Sequence, residues 1–441
     1  TDSTAQGAVL RLPVVPRPER GGDSVDPSAW RDSLLTPKRS AEDSLSAHEA
    51  RQAADWLAAS LRAEGLDPSD IMVLARKRER LGWLHAALRE RGISAADISA
   101  MCNGTDHAPE ALTADELQRL DAANLAGAPP YVAGDYPEWL HPSFGRAFGD
   151  RAAEEGRALA RRAPADIRVN TLKATREKVL KALSDFGAVE TKFSPVGVRV
   201  PAPVGDARTP NLEAEAAFQA GWCEIQDEGS QIVAALTGAG PRMQVLDLCA
   251  GAGGKTLALG AAMQNTGQIY AYDDDKHRLK PIFDRIRRAG VRNVQILKAG
   301  DEKALDALAG KFDCVLVDAP CTGAGTWRRR PDAKWRLRPH ALGERLKDQQ
   351  AVLARAVKMV RPGGRLVYVT CSILPEENGD QIAACLAANT NFRAVPFADV
   401  WRAALPGEPP VSADNSDDHL VLTPARHDTD GFFIAILERT A

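Results

Sequence analysis

The 441-residue chain contains no run approaching about 18 consecutive apolar residues, the length at which a membrane-crossing helix becomes the natural reading. Its first residues carry no basic-then-apolar leader pattern, so the expectation is a soluble, cytoplasmic protein. An excess of charge of either sign is also lacking: 56 Lys and Arg stand against 59 Asp and Glu, a formal net charge of -3. That excludes a globally basic nucleic-acid binder and leaves such binding to a local patch. The seven cysteines include no CxxC pair and no Cys/His cluster at zinc-ligand spacing, so no metal is expected. Cys102, Cys223, Cys314 and Cys385 read as small buried hydrophobes. Nothing calls for more than a monomer.

Two common phosphate loops are missing as well. Val245-Leu-Asp-Leu-Cys-Ala-Gly-Ala-Gly-Gly-Lys-Thr256 reads as strand, tight turn and helix. A Walker loop would require glycine where Cys249 stands, and a dinucleotide fingerprint begun at Gly251 and Gly253 would require glycine at Thr256. A loop for S-adenosylmethionine (SAM) tolerates this spacing and also wants an acid at the end of the next strand. Asp273 supplies it after Gln268 to Tyr272. SAM is therefore the cofactor expected on Cys249, Ala250, Gly251, Ala252, Gly253, Gly254 and Lys255.

What is present along the chain divides into four stretches. Residues 1–43, rich in Pro, Gly, Asp and Ser, suggest a flexible segment, and 44–128 a mostly helical region. Residues 129–220 suggest a small α/β subdomain suited to RNA, with a strand at 166–170, a basic amphipathic helix at 175–186 and a strand at 196–200. From 221 to 441, strand-like runs at 243–248, 268–272, 293–297, 313–318, 365–370 and 432–437 alternate with helical ones. Such alternation predicts a doubly wound, Rossmann-like α/β domain with a largely parallel sheet. Ligands bind at the carboxyl ends of such strands, where Asp247, Asp273, Asp301, Asp318 to Cys321 and Thr370-Cys371 all fall.

Two of these ends carry a cysteine just beyond a buried strand. Pyrimidine C5 is too weak a nucleophile to take a methyl group while the ring is aromatic. A thiolate adding to C6 makes C5 enamine-like, and the C5 proton must afterwards leave to a base. Two thiols and a carboxylate beside SAM suit that reaction.

Taken in order, Gln226-Asp-Glu-Gly-Ser-Gln231, Asp247 to Thr256, Asp318-Ala-Pro-Cys-Thr322, Arg329-Arg-Pro-Asp-Ala-Lys-Trp335, Thr370-Cys-Ser372, Pro375-Glu-Glu-Asn378 and Asp430-Gly-Phe-Phe433 resemble the RNA cytosine-C5 methyltransferases of the RsmB/Sun (Fmu) type. The likeness covers about residues 130 to 441. It implies Cys371 as nucleophile and Cys321 as the residue assisting product release. It also implies Asp273 on the SAM ribose, Asp301 near the adenine, Asp318 near the sulfonium and target base, and Lys255 beside the loop; Arg278 is a further residue expected to bind the cofactor. Ribosomal RNA is the implied substrate. One departure is the loop Gly251-Ala-Gly-Gly-Lys255, where the family often has Ala-Pro-Gly-Gly-Lys, so that Ala252 stands in the place of the proline.

RNA contacts are expected from Arg168 and Asn170 in the small subdomain and from Arg329, Arg330, Lys334 and Trp335, where basic residues interleave with tryptophan. A splayed-out base requires single-stranded or loop RNA. Two rivals use the same residues differently. A DNA cytosine-C5 methyltransferase would attack through Cys321 and have no use for Cys371, and a non-catalytic SAM-binding ribosome-assembly factor would need neither. Separately, Ser69 to Ala75 followed by Leu84 to Ile93 resembles a fragment of the second RecA-like lobe of superfamily 1 helicases, without ATPase motifs.

Overall fold

A computed structural model describes residues 111–114, 128–203 and 210–440. The segment expected at 1–43, nearly all of the helical region at 44–128 and the helicase-like stretch lie outside the described residues. Ala128–Pro203 and Thr209–Ala441 form one compact unit.

The smaller sheet is antiparallel and consists of β1 (Ala165–Val169), β2 (Val189–Glu190), β3 (Gly197–Val200) and β4 (Cys223–Ile225), in the order β2-β3-β1-β4. Its helix, Arg176–Ala182, is capped by the Thr175 hydroxyl, which accepts from the Lys178 N–H. Val179 and Leu183 pack against Ile167, Val169, Val198 and Val200. The sheet is completed by β4, beyond the boundary expected at 220. A three-residue Cys-Glu-Ile strand is too short to show a period of its own, and only its pairing with β1 reveals it.

The large sheet contains β5 (Gln244–Asp247), β6 (Gln268–Ala271), β7 (Val294–Ile296), β8 (Phe312–Asp318), β9 (Val360–Thr370), β10 (Phe392–Val395), β11 (His419–Leu422) and β12 (Phe432–Arg439). Its order is β10-β12-β9-β8-β5-β6-β7, with β11 also on β12. From β9 to β7 the pairing is parallel, and β12 runs antiparallel to β9. The six expected strands are all present, and β10 and β11 add a short antiparallel edge. On β8, Val315 and Val317 enter one core with Trp327 and Tyr368, while Cys314 and Leu316 enter the other with Ile232 and Trp401. Burial on both faces explains the unbroken apolar run of this strand. Cys223, Cys314 and Cys385 are buried as expected.

A buried ion network ties the distant motifs together. Arg328 donates to Asp430 at 2.5 Å and reaches Asp227 at 3.4 Å; Arg329 reaches Asp227 at 2.8 Å and also pairs with Asp430. The Asp430 N–H donates to Asp227 at 3.1 Å. Asp227 caps the helix Glu228–Leu236, so the network fixes that helix, the Arg328–Arg329 turn and the start of β12 relative to one another. Removing one partner from such a set leaves an uncompensated buried charge. Asp430→Asn is expected to lower the unfolding free energy by about 3–5 kcal/mol, read as a lower urea midpoint. An unchanged midpoint would contradict this role.

Candidate active site

The cofactor loop is set by backbone geometry before any side chain acts. Gly253 has φ +81° and caps the helix Gly254–Ala262. A Cβ there would lie 2.4 Å from Ile282 Cγ1, so both the left-handed conformation and the packing require glycine. The Gly251 N–H donates to Asp273 at 2.9 Å, and the other Asp273 oxygen accepts from the Asp275 N–H at 2.9 Å. Arg278 stands 3.9 Å from Asp273. The acid at the end of β6 thus holds the loop from the side. Asp301 caps the helix Glu302–Asp306, accepting from Ala304 N–H at 3.0 Å.

Three carboxylates and one ammonium define the electrostatics. Lys255 donates to Asp318 at 2.7 Å. Burial opposes its charge, but Asp318 outweighs this and holds the Lys255 pKa above its ordinary value. Asp247, fully buried at the end of β5, accepts from Thr256 at 2.6 Å through Oδ2. Its Oδ1 has no hydrogen-bond partner among the described residues. Burial pushes this carboxyl up to about 7. An unpartnered buried carboxylate beside a glycine loop suits a ligand that brings positive charge, and the ammonium and sulfonium of SAM fit that demand.

The two suspect cysteines meet. Cys321 Sγ and Cys371 Sγ are 3.4 Å apart, in contact and not disulfide-bonded. Cys321 is buried, whereas Cys371 is partly exposed and lies within electrostatic reach of Lys255. The hydrogen bond with Cys371, followed by burial, drives the Cys321 thiol well above its ordinary pKa. The pair is therefore asymmetric in its setting: Cys321 is buried, and Cys371 reaches the surface. Phe432 closes the site, with its ring centroid 5.5 Å from Lys255 Nζ.

The comparisons with known proteins agree with this geometry. Residues 237–438 match the family described as 16S rRNA methyltransferase RsmB/F, and residues 136–205 match the ferredoxin-like domain of RsmF/B-like methyltransferases. The chain is 33% identical to the ribosomal RNA small subunit methyltransferase B of Sodalis glossinidius, over 73% of this chain and 70% of that protein. It is 32% identical to the "Probable ribosomal RNA small subunit methyltransferase B" of Synechocystis sp., over 69% of this chain and 67% of that one. The chain belongs to the RsmB/F family. A solved methyltransferase homolog protein from Pyrococcus horikoshii superposes with TM-score 0.57 at 27% identity, covering 70% of this chain and 97% of that one. The large domain accordingly has the Rossmann-like fold of SAM-dependent methyltransferases, and the chain is an rRNA methyltransferase.

Within this RsmB/F chain, most of the expected RNA contacts are occupied internally. Arg168, 3% exposed, donates to Gln226 at 2.6 Å, and burial lowers its pKa to about 10. Asn170, 2% exposed, donates to the carbonyls of Gly221 and Ala289 at 2.8 and 2.7 Å. Lys334 is buried against Asp135, and Arg329 belongs to the ion network. Arg168, Asn170 and Lys334 hold the fold together because a buried cation or amide must be satisfied where it lies, which departs from the expectation that they present to RNA. Arg329 instead pairs with Asp227 and Asp430 while still reaching the surface. Arg330 and Trp335 do lie on the surface, Trp335 being 46% exposed. In the same basic stretch it is Trp327 that is buried in the core.

Asp247 carries a test. Its folded-state pKa lies above its unfolded value, so its contribution to stability is complete below that value and is lost as pH rises through the folded one. The difference in unfolding free energy between the ligand-free protein and Asp247→Asn should therefore fall between pH 3.8 and about 7. A difference that does not vary with pH would show that this carboxyl titrates normally.

Proposed function

We propose that this rRNA methyltransferase forms 5-methylcytosine through a covalent adduct between Cys371 and cytosine C6. The observation that carries the proposal is the 3.4 Å contact between Cys371 and Cys321 beside Lys255 and Asp318. Asp247, Asp273 with Arg278, the loop from Cys249 to Lys255, and Asp301 are the residues that would hold SAM. SAM, when bound, supplies a methyl group activated by a positively charged sulfur.

Everything else falls to the chain itself. Cys371, just beyond β9 and partly exposed beside Cys321, is the thiol we place for addition to C6. Addition breaks the ring aromaticity and moves electron density to C5. Asp318, its side chain 35% exposed at the end of β8, is the carboxylate available to accept the C5 proton once that carbon is methylated. The C6–sulfur bond then breaks and Cys371 leaves as a thiolate, which the S–H of Cys321 receives in a hydrogen bond. The neutral Cys321 thiol is suited to this second task and poorly suited to the first.

Arg330 and Trp335 are the surface residues we place against RNA, the guanidinium on phosphate and the indole on an unstacked base. A cytosine in a loop or single strand reaches such a pocket without the cost of breaking a duplex.

Exchange of the cysteines tests the roles. Cys321→Ser is expected to accumulate protein–RNA adducts stable to denaturing electrophoresis, because attack remains and release fails. Cys371→Ser is expected to form none and to lose methyl transfer by at least about 10³-fold. Adducts from Cys371→Ser with none from Cys321→Ser would reverse the assignment and favour the DNA-methyltransferase pattern.

A further inference from the structure

The Pro-Glu-Glu-Asn segment after β9 reaches neither the cofactor loop nor the surface that we place against RNA, yet its two last side chains are buried and fully engaged. Glu377 is 0% exposed and Asn378 3% exposed. Among the described residues, no lysine or arginine pairs with the Glu377 carboxylate. It accepts instead from the Thr322 N–H at 2.8 Å, the Thr322 hydroxyl at 2.5 Å and the Gln349 amide at 3.0 Å. The Ser372 hydroxyl is a further partner. Gln349 also donates to the Pro320 carbonyl at 2.9 Å, so Cys321 is bracketed on both sides by groups tied to Glu377. The backbone of Glu377 is fixed in turn, its carbonyl accepting from Tyr368 at 2.8 Å.

Asn378 does the corresponding work for the other loop. Its Oδ1 accepts from the Thr370 hydroxyl at 2.6 Å, and its Nδ2 donates to the Ser372 carbonyl at 3.0 Å. Thr370 and Ser372 flank Cys371. Asn378 thus grips the neighbours of Cys371 alone, while Glu377 grips those of Cys321 and joins them to the Cys371 turn through Ser372.

We propose that Glu377 and Asn378 are positioning residues that hold the two thiols in contact, Asn378 by fixing the turn that presents Cys371 and Glu377 by tying the Cys321 loop to it. Their effects on the reaction then separate. Loosening Asn378 impairs attack, and loosening Glu377 impairs release. Burying a carboxylate on neutral donors carries a desolvation cost that an apolar side chain would avoid. The return is orientation, since a carboxylate accepts several donors at once with defined geometry. Its negative charge beside Cys321 also helps that thiol keep its proton.

The division of labour rests on the reading of Cys371 as nucleophile; the clamp itself does not. A test in two parts keeps them apart. The first uses the protein alone and reads thiol geometry: diamide takes two electrons and two protons from the pair, becoming the hydrazine, while Cys321 and Cys371 form a disulfide. Closure is followed by mass spectrometry of the peptides around the two cysteines. Glu377→Gln and Asn378→Ala are each expected to slow closure on the order of tenfold, the effect of losing hydrogen bonds worth about 1.4 kcal/mol. Thr322→Val attacks the Glu377 contact from its other end. It keeps the backbone N–H bond and should slow closure less than Glu377→Gln, and it serves as the second variant should either of the others fail to fold by circular dichroism.

The second part adds RNA and SAM. Glu377→Gln should accumulate covalent RNA adducts as Cys321→Ser does, whereas Asn378→Ala should form few. Closure at the wild-type rate in all folded variants overturns the clamp. Slowed closure with the two adduct phenotypes exchanged leaves the clamp standing and overturns the assignment of the nucleophile.

Discussion

The parallel pairing of β8 with β9 is the constraint on which the site depends. Asp318 lies opposite Val369, and the Ala319 N–H donates to the Val369 carbonyl at 2.8 Å. Two loops leaving adjacent strands from one register point cannot diverge within two or three residues, so Cys321 and Cys371 meet although 50 residues separate them. On the other side of β9, antiparallel β12 brings Gly431 to the same place. The Gly431 N–H donates to the Gly325 carbonyl at 2.7 Å, and the Gly325 N–H to the Cys371 carbonyl at 2.9 Å. A Cβ on Gly325 would lie 2.2 Å from the Gly431 oxygen, so this approach requires glycine. The Cys371 loop is thereby gripped through its backbone as well as by Asn378.

With geometry fixed by strand register, chemistry is apportioned by burial and charge. Two identical thiols in contact stand in different settings, Cys321 buried near the Glu377 carboxylate and Cys371 partly exposed, and the proposed division of tasks rests on that difference. The same principle separates the carboxylates: Asp318, paired with Lys255 and partly exposed, stays available at the mouth, while Asp247, buried with one oxygen unpartnered, faces the cofactor loop. Preorganised charge of this kind acts most strongly where water is excluded.

The cofactor loop, the parallel strands and both cysteines were legible in the sequence because each leaves a local mark: an apolar run, a glycine cluster, a cysteine just past a strand. The RNA contacts were not. Arg168 and Lys334 read as surface groups because arginine and lysine are seldom buried unless paired, and Arg329, though it reaches the surface, is engaged by carboxylates that the sequence does not place beside it. Their partners Gln226, Asp227, Asp430 and Asp135 lie far away in the chain. Glu377 and Asn378 stood within a recognised motif, but their partner Thr322 and the link to Cys321 depend on the meeting of β8 and β9. Strands β10 and β11 escaped notice because four residues are too few for alternation to stand out. A buried acid without a cation beside it has no signature in one sequence.

Direct access to the central step comes from the hydrogen it must release. RNA substrate labelled with tritium at cytosine C5, incubated with the protein and SAM, should lose tritium to water in step with methyl transfer, one for one. Methyl transfer with the C5 tritium fully retained would place the methyl group on another atom and contradict a C5 mechanism through Cys371.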